Sequence, residues 1–176
     1  SLGDSVLTLE PKGTTIPENP ASIFDLAAEL KHESVYVVDD RIDGFVEGYK
    51  SAKKAGVNMN FGIKFVVCKD HLDKSEESLS TQSKVIVFCK NTQGYHDLIR
   101  IYNRAWTENF YYQGRTSWPQ LKEFWTENLL MVFPFFSSFL AMNTLKVRSI
   151  IPGFIPENHY FFNEQPPKWD VFPSVG

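Results

Sequence analysis

The stretch that most constrains the fold is SVYVVDDRIDGFVEGYKSAKKAGVNMNFGIKFVVC, from Ser34 to Cys68. Ser34–Val38 is a continuous apolar run, the pattern of a strand covered on both faces. Asp43 is placed to cap a following helix. The inner stripe of that helix would be Phe45, Val46, Tyr49 and Ala52, with Lys50, Lys53 and Lys54 turned outward. Gly56 fits a left-handed C-cap, and Phe61–Cys68 reads as another apolar strand. Strand, helix and strand in this order call for a parallel pair joined by a right-handed crossover. In such folds chemistry collects at the C-terminal ends of strands, which is where Asp39 and Asp40 stand.

The same alternation continues along the chain. Ser5–Leu9 reads as a short strand and Ile23–Leu30 as a helix with Ser22 or Asn19 as its cap. Its apolar spacing runs through Ile23, Phe24, Leu26, Ala27 and Leu30. Lys69–Ser83 is polar, acidic and rich in serine, and is expected to be a mobile loop. Lys84–Cys89 is a strand. Asn91 caps a helix to about Trp106 with Leu98, Ile99, Tyr102 and Ala105 inward. Ser117 and Gln120 have capping-box spacing before a helix packed through Leu121, Phe124 and Trp125. Leu129–Phe133 is a strand, followed by a packed turn or helix after Pro134 and Ser137–Ser138. His159–Phe162 is a further strand, and 163–176 an irregular, proline-rich tail. Residues 1–176 therefore read as a single α/β domain with a mostly parallel sheet.

A chain of 176 residues has enough length for one sizeable core, and its fifteen Phe, seven Tyr and four Trp are natural core fillers. A net charge of −3 gives no support for a broad nucleic-acid-binding face. No apolar run is long enough to span a membrane, and no signal-peptide pattern opens the sequence, so a cytoplasmic setting is the default. Cys68 and Cys89 lie in apolar strands and read as reduced core thiols. The four histidines show no zinc-type spacing.

The order of motifs from Lys84 to Phe124 resembles the PHP (polymerase and histidinol phosphatase) domain found at the N-terminus of the bacterial replicative DNA polymerase III alpha subunit. The resemblance rests on an apolar strand, then Lys90, Asn91, Gly94, Tyr95 and Leu98, then an aromatic loop with Phe110, Tyr111, Tyr112 and Arg115. The stretch from Val37 to Phe65 is similar to the family's strand–helix–strand segment, and the likeness extends over about Ser34 to Phe162. It implies a PHP-type (β/α) barrel, distorted or incomplete because the chain stops short of the family's usual domain. It also implies partners among replication proteins or the rest of a polymerase, in the cytoplasm of a bacterial or virus-infected cell.

Active PHP domains carry His-x-His after their first strand, Asp-His after the second and Glu on the third, and these hold Mn, Zn or Mg ions. Here the first strand has no histidine, Asp39-Asp40 stands at the Asp-His position, and Lys64 replaces the glutamate. A lysine there repels a metal ion and occupies its charge site. The resemblance therefore implies a catalytically degenerate domain without a metal cofactor, with Lys64 paired to Asp39 across neighbouring strands.

Two other readings compete. A metal-dependent phosphoesterase or 3′–5′ exonuclease could rebuild its ligands from Asp39, Asp40, His159 and Glu164. Against this, adjacent strand residues point to opposite faces, so Asp39 and Asp40 cannot both enter one site. The plainer role for the pair is capping a turn and pairing with Arg41 or Lys64. A small module for single-stranded DNA could use Arg100, Arg104 and Arg115 with Tyr111 and Tyr112 as stacking surfaces. Aromatic packing within the loop is the commoner role for such tyrosines. Asn91–Tyr95 could likewise touch phosphate at a helix N-terminus, but a cap plus a glycine for close packing explains the same residues.

Overall fold

The computed structural model describes residues 22–145 and 151–162. The elements in chain order are α1 (Ile23–Glu29), β1 (Ser34–Asp39), α2 (Phe45–Ala55), β2 (Asn58–Cys68), α3 (Glu76–Ser80), β3 (Ser83–Cys89), α4 (Thr92–Trp106), β4 (Arg115–Ser117), α5 (Trp118–Phe124), β5 (Leu129–Pro134), α6 (Phe139–Thr144) and β6 (His159–Phe162). The strand expected at Ser5–Leu9 and the tail at 163–176 lie outside the described residues.

The strands form one sheet in the order β1-β2-β3-β5-β6, with the three-residue β4 also paired to β2. β1, β2, β4, β5 and β6 run one way and only β3 is reversed, so the sheet is mostly parallel as expected. β1 and β6, the two edges among the described residues, line one common groove, so the sheet curls into a half-barrel.

Strand alternation sorts the sheet's side chains onto two faces. Phe61, Ile63, Phe65, Val67, Val85, Val87, Met131 and Phe133 face the helices and form the main core with Leu98, Ile101, Ala105, Trp118 and Leu121. The opposite, concave face carries Gly62, Lys64 and Val66 of β2, and Lys84, Ile86 and Phe88 of β3. Register aligns Gly62 with Phe88, Lys64 with Ile86 and Val66 with Lys84. Gly62 has a specific job here: a Cβ on it would sit 2.7 Å from the Phe88 ring. Its absence lets Phe88 lie across β2 and meet Tyr36 edge-on at 5.8 Å.

Several local expectations hold. Ser22 caps α1 in a reciprocal box with Asp25, and Gly56 ends α2 at φ 74°. Asn91 Oδ1 accepts from the Gly94 N–H at 2.8 Å to start α4. Other details differ. Among the described residues β1 lies at an edge of the sheet, and Tyr36 is 68% exposed, so they cover its apolar run on one side only. Gly44 starts α2 without a side-chain cap, because Asp43 pairs with Arg41 at 2.9 Å. The buried face of α2 is Gly48, Ser51 and Ala52, while Val46 and Tyr49 are exposed. Within α1 it is Phe24 and Ala27 that are buried, and Leu30 is exposed. Ser117 makes no capping bond; Gln120 turns instead to Asn109 and His71.

The 69–83 segment, expected to be a mobile loop, contains helix α3, started by Ser75 Oγ accepting from Ser78 N–H. Arg115 explains the order. Its guanidinium donates to the carbonyls of His71 (2.8 Å), Asp73 (2.9 Å) and Asn109 (3.3 Å) and stacks over Tyr111. A polar segment without apolar periodicity is thus fixed from outside by one long side chain.

Candidate functional site

At the C-terminal ends of β1 and β2 the concave face opens into a cleft of about 180 Å³. Asp40, Arg41, Lys64, Phe65, Val66, Lys84, Trp106, Gln113 and Gly114 line it. Register explains the two lysines. Lys64 lies opposite Ile86 and Lys84 opposite Val66, so they are diagonal neighbours on one face. Both are partly buried, and among the described residues neither makes an ion pair. Gly114 lets the Trp106 ring close the wall, since a Cβ on it would stand 2.6 Å from that ring. Arg41 stacks over the same indole at 5.4 Å.

The two aspartates are divided as strand geometry requires. Asp39 is in register with Ile63, and its Oδ1 accepts from the Arg41 N–H at 3.3 Å. The expected Lys64–Asp39 ion pair is not formed, because the two residues lie on opposite faces. Asp40, one step further, is the carboxylate that enters the cleft beside Lys64.

The remaining candidates are not gathered here. His159 begins β6, at the other edge of the sheet from Asp39 and Asp40, where its Nδ1 lies 2.8 Å from the Pro156 carbonyl oxygen and its ring packs against Phe133 and Phe161. Glu164 lies outside the described residues. The three arginines differ in exposure, with Arg100 and Arg104 at the surface and Arg115 inside. Arg115 is 0% exposed, Arg104 pairs with Glu108, and both Arg100 and Arg104 stack over Phe124. Tyr111 and Tyr112 pack edge-on at 4.7 Å, with Tyr112 at φ 60° and well exposed. Asn91 uses its amide group twice, accepting from Gly94 and donating to Asn128, so it is a cap.

Sequence reasoning missed a polar cluster beneath the 69–83 segment. His71 Nδ1 lies 3.0 Å from Ser117 Oγ, with Asp70 at 4.0 Å from the same nitrogen. The grouping has the residue types of a hydrolytic triad, but Ser117 is fully buried and both contacts use one ring nitrogen, so it serves packing. Burial pushes the thiols of Cys68 and Cys89 up, with Arg115 partly offsetting this at Cys68. Both cysteines are free.

Residues 17–147 match the PHP domain family, about three-quarters of the chain. The chain belongs to this family. It is similar to the DNA polymerase III subunit alpha of Helicobacter pylori, 33% identical over 98 residues, covering 54% of this chain and 8% of that protein. It is also similar to the subunit alpha of Chlamydia pneumoniae, 30% identical over 105 residues, 58% of this chain and 8% of that one. A DNA polymerase III of PolC type from Streptococcus pneumoniae is 33% identical over 88 residues, 45% of this chain and 6% of that one. The chain therefore spans less than a tenth of the length of these relatives.

PHP domains commonly use metal ions, so the fit of the donors matters. Among the described residues no three His, Cys, Asp or Glu side chains form a group able to hold a metal ion. Among the described residues the strand-end cleft offers one carboxylate against two lysines, a donor set that does not by itself fit a divalent cation. No helix among the described residues is long and apolar enough to cross a membrane.

Proposed function

We propose that this chain is a catalytically degenerate PHP domain with a structural or protein-contact role beside a replicative DNA polymerase alpha subunit, in the cytoplasm. The observation that carries this is the pairing of Lys64 and Lys84 in the cleft, with Asp40 as its only carboxylate among the described residues. A divalent ion about 5 Å from one ammonium group, at an effective dielectric of about 20, is repelled by roughly 6–7 kcal/mol. One carboxylate at similar range offsets one lysine, and the second leaves the balance unfavourable by about that amount.

A contact role is supported by the groove between the sheet edges. Tyr36, Val38, Phe88, Val132, Tyr160 and Phe162 line it, on a face that the described residues leave open. Exposed apolar surface of this kind favours contact with another protein or another part of a polymerase. The test is metal content after purification without chelator, with phosphodiester cleavage assayed in Mn²⁺, Zn²⁺ and Mg²⁺. Neither metal nor cleavage is expected. Metal-stimulated cleavage abolished by Asp40→Ala would establish the phosphoesterase or exonuclease reading instead.

A further inference from the structure

We propose that the apolar groove between β1 and β6 is the docking site of the chain's own segment 163–176, anchored through Trp169 and Phe172. This deepens the contact role proposed above and rests on it, because it names what contacts the groove.

The groove has the make-up of a surface that is normally covered. Tyr36, Tyr160, Phe161 and Phe162 on its two rims are each more than half exposed, while Phe88 and Val132 form a buried floor. Its volume is about 600 Å³ and none of its lining residues is charged. Aromatic side chains laid into such a groove remove a large apolar area from water.

The place where 163–176 leaves the fold singles it out. Phe162 is in register with Pro134 at the end of β5, and it lines the groove itself, so the following residues depart from the rim. The four strand spacings from β6 across to β1 amount to about 19 Å. Trp169 follows Phe162 by seven residues, a reach of roughly 23 Å, so it can touch either rim. Residues 1–21 join elsewhere, at Ser22, where Phe24 of α1 packs beside Gly48 of α2 on the helical side of the sheet.

Composition and charge agree with this. The segment carries Trp169, Val171 and Phe172, and its Pro166, Pro167 and Pro173 reduce the conformational entropy lost on docking. Lys84 stands two residues before the groove residue Ile86. Its N–H donates to the Ser137 carbonyl at 2.8 Å, just past the end of β5, so Lys84 lies at the end of the sheet where β6 stops. Glu164 comes two residues after Phe162, an opposite charge for a lysine that makes no ion pair among the described residues. A short tether raises the effective concentration to the millimolar range, which favours this occupant over a second copy or an outside partner.

The test uses the full chain. Trp169→Ala/Phe172→Ala removes both anchors, and the dye ANS binds only an uncovered groove. Its apparent affinity should therefore tighten at least about tenfold over the parent protein, with thermal melting verifying that both are folded. A second measurement locates the segment. A nitroxide on Ser174→Cys, in a Cys68→Ala/Cys89→Ala background, should broaden the amide resonances of Tyr36 and Tyr160 more than that of Arg104 on α4. Mixing the nitroxide chain with isotope-labelled chain that lacks it should leave those resonances sharp.

Equal ANS binding by parent and variant overturns the proposal and leaves the contact role to an outside partner. Absence of ANS binding by both means that something else closes the groove, and the contact role fails with the proposal. Broadening confined to the mixture assigns the groove to a second copy, and broadening centred on the helices places the segment elsewhere; either result overturns the proposal. None of these readouts involves a metal ion, so the degenerate-domain reading stands or falls separately.

Discussion

Arg115 separates a structural from a nucleic-acid-binding reading of the aromatic loop, and its replacement has a calculable cost. The side chain is fully buried, donates three hydrogen bonds to carbonyls of His71, Asp73 and Asn109, and stacks over Tyr111 at 5.0 Å. Hydrogen bonds from charged donors contribute about 1.5–3 kcal/mol each, but these share one side chain and do not add. The His71 and Asp73 carbonyls belong to a surface segment and can regain water, while the cavity left by a large side chain adds its own cost. Arg115→Ala is therefore expected to lose about 3–5 kcal/mol, which for a chain of this length lowers Tm by roughly 8–16 °C. Arg115→Met should lose less, about 1–3 kcal/mol, because it fills the space and removes a buried charge whose hydrogen bonds go to carbonyls. Urea unfolding followed by tryptophan fluorescence measures the loss, and limited proteolysis should show early cutting between Lys69 and Ser83 in both variants. A change under about 0.5 kcal/mol with that segment still protected would refute the reasoning.

Three further outcomes follow from the same geometry. Gly94→Ala places a Cβ onto the carbonyl oxygen of Asn128, whose backbone is also held by the Lys90 N–H at 2.9 Å; we expect a loss of at least about 2 kcal/mol in chemical denaturation, and a neutral result would contradict the packing. The Cys68 and Cys89 thiols are raised by burial, so the folded state holds those protons more tightly than the unfolded chain. Their contribution is fully present below about pH 8.5 and is lost as pH rises through the raised folded values, so stability should decline in the alkaline range and less so in Cys68→Ala/Cys89→Ala. Asp40→His with Lys64→Glu converts the cleft toward metal donors, and calorimetry with Mn²⁺ should show a weak gain over the parent protein, limited by Lys84.

Elements with their own local signal were legible in the sequence. β6 at His159–Phe162, the Asn91 cap and the Gly56 stop all follow from residue type and spacing within a few positions. The misses share one cause, dependence on distant partners. β4 has three residues, too few for a period, and exists because Arg115–Ser117 pairs with Val66–Cys68. Helix α3 sits in a polar run whose neighbourhood is fixed by Arg115 from 40-odd residues away. Among the described residues β1 has one open face, a position that its apolar run alone does not distinguish from a central one.

The candidate site divides along the same line. Lys64 could be singled out from sequence because it stands two residues after Gly62 in a recognisable motif. Lys84 could not, since its relation to Lys64 exists only through the β2–β3 pairing. The reversal of β3 matters for this reason. In an antiparallel pair, residues on the two strands draw together as the chain progresses in opposite directions, so Lys84 near the start of β3 meets Lys64 toward the end of β2. A parallel β3 would have carried Lys84 to the opposite end of the sheet, leaving Asp40 to neutralise Lys64 alone. The direction of one strand thus sets Lys84 beside Lys64 on one sheet face, and the proposed degenerate reading rests on that juxtaposition.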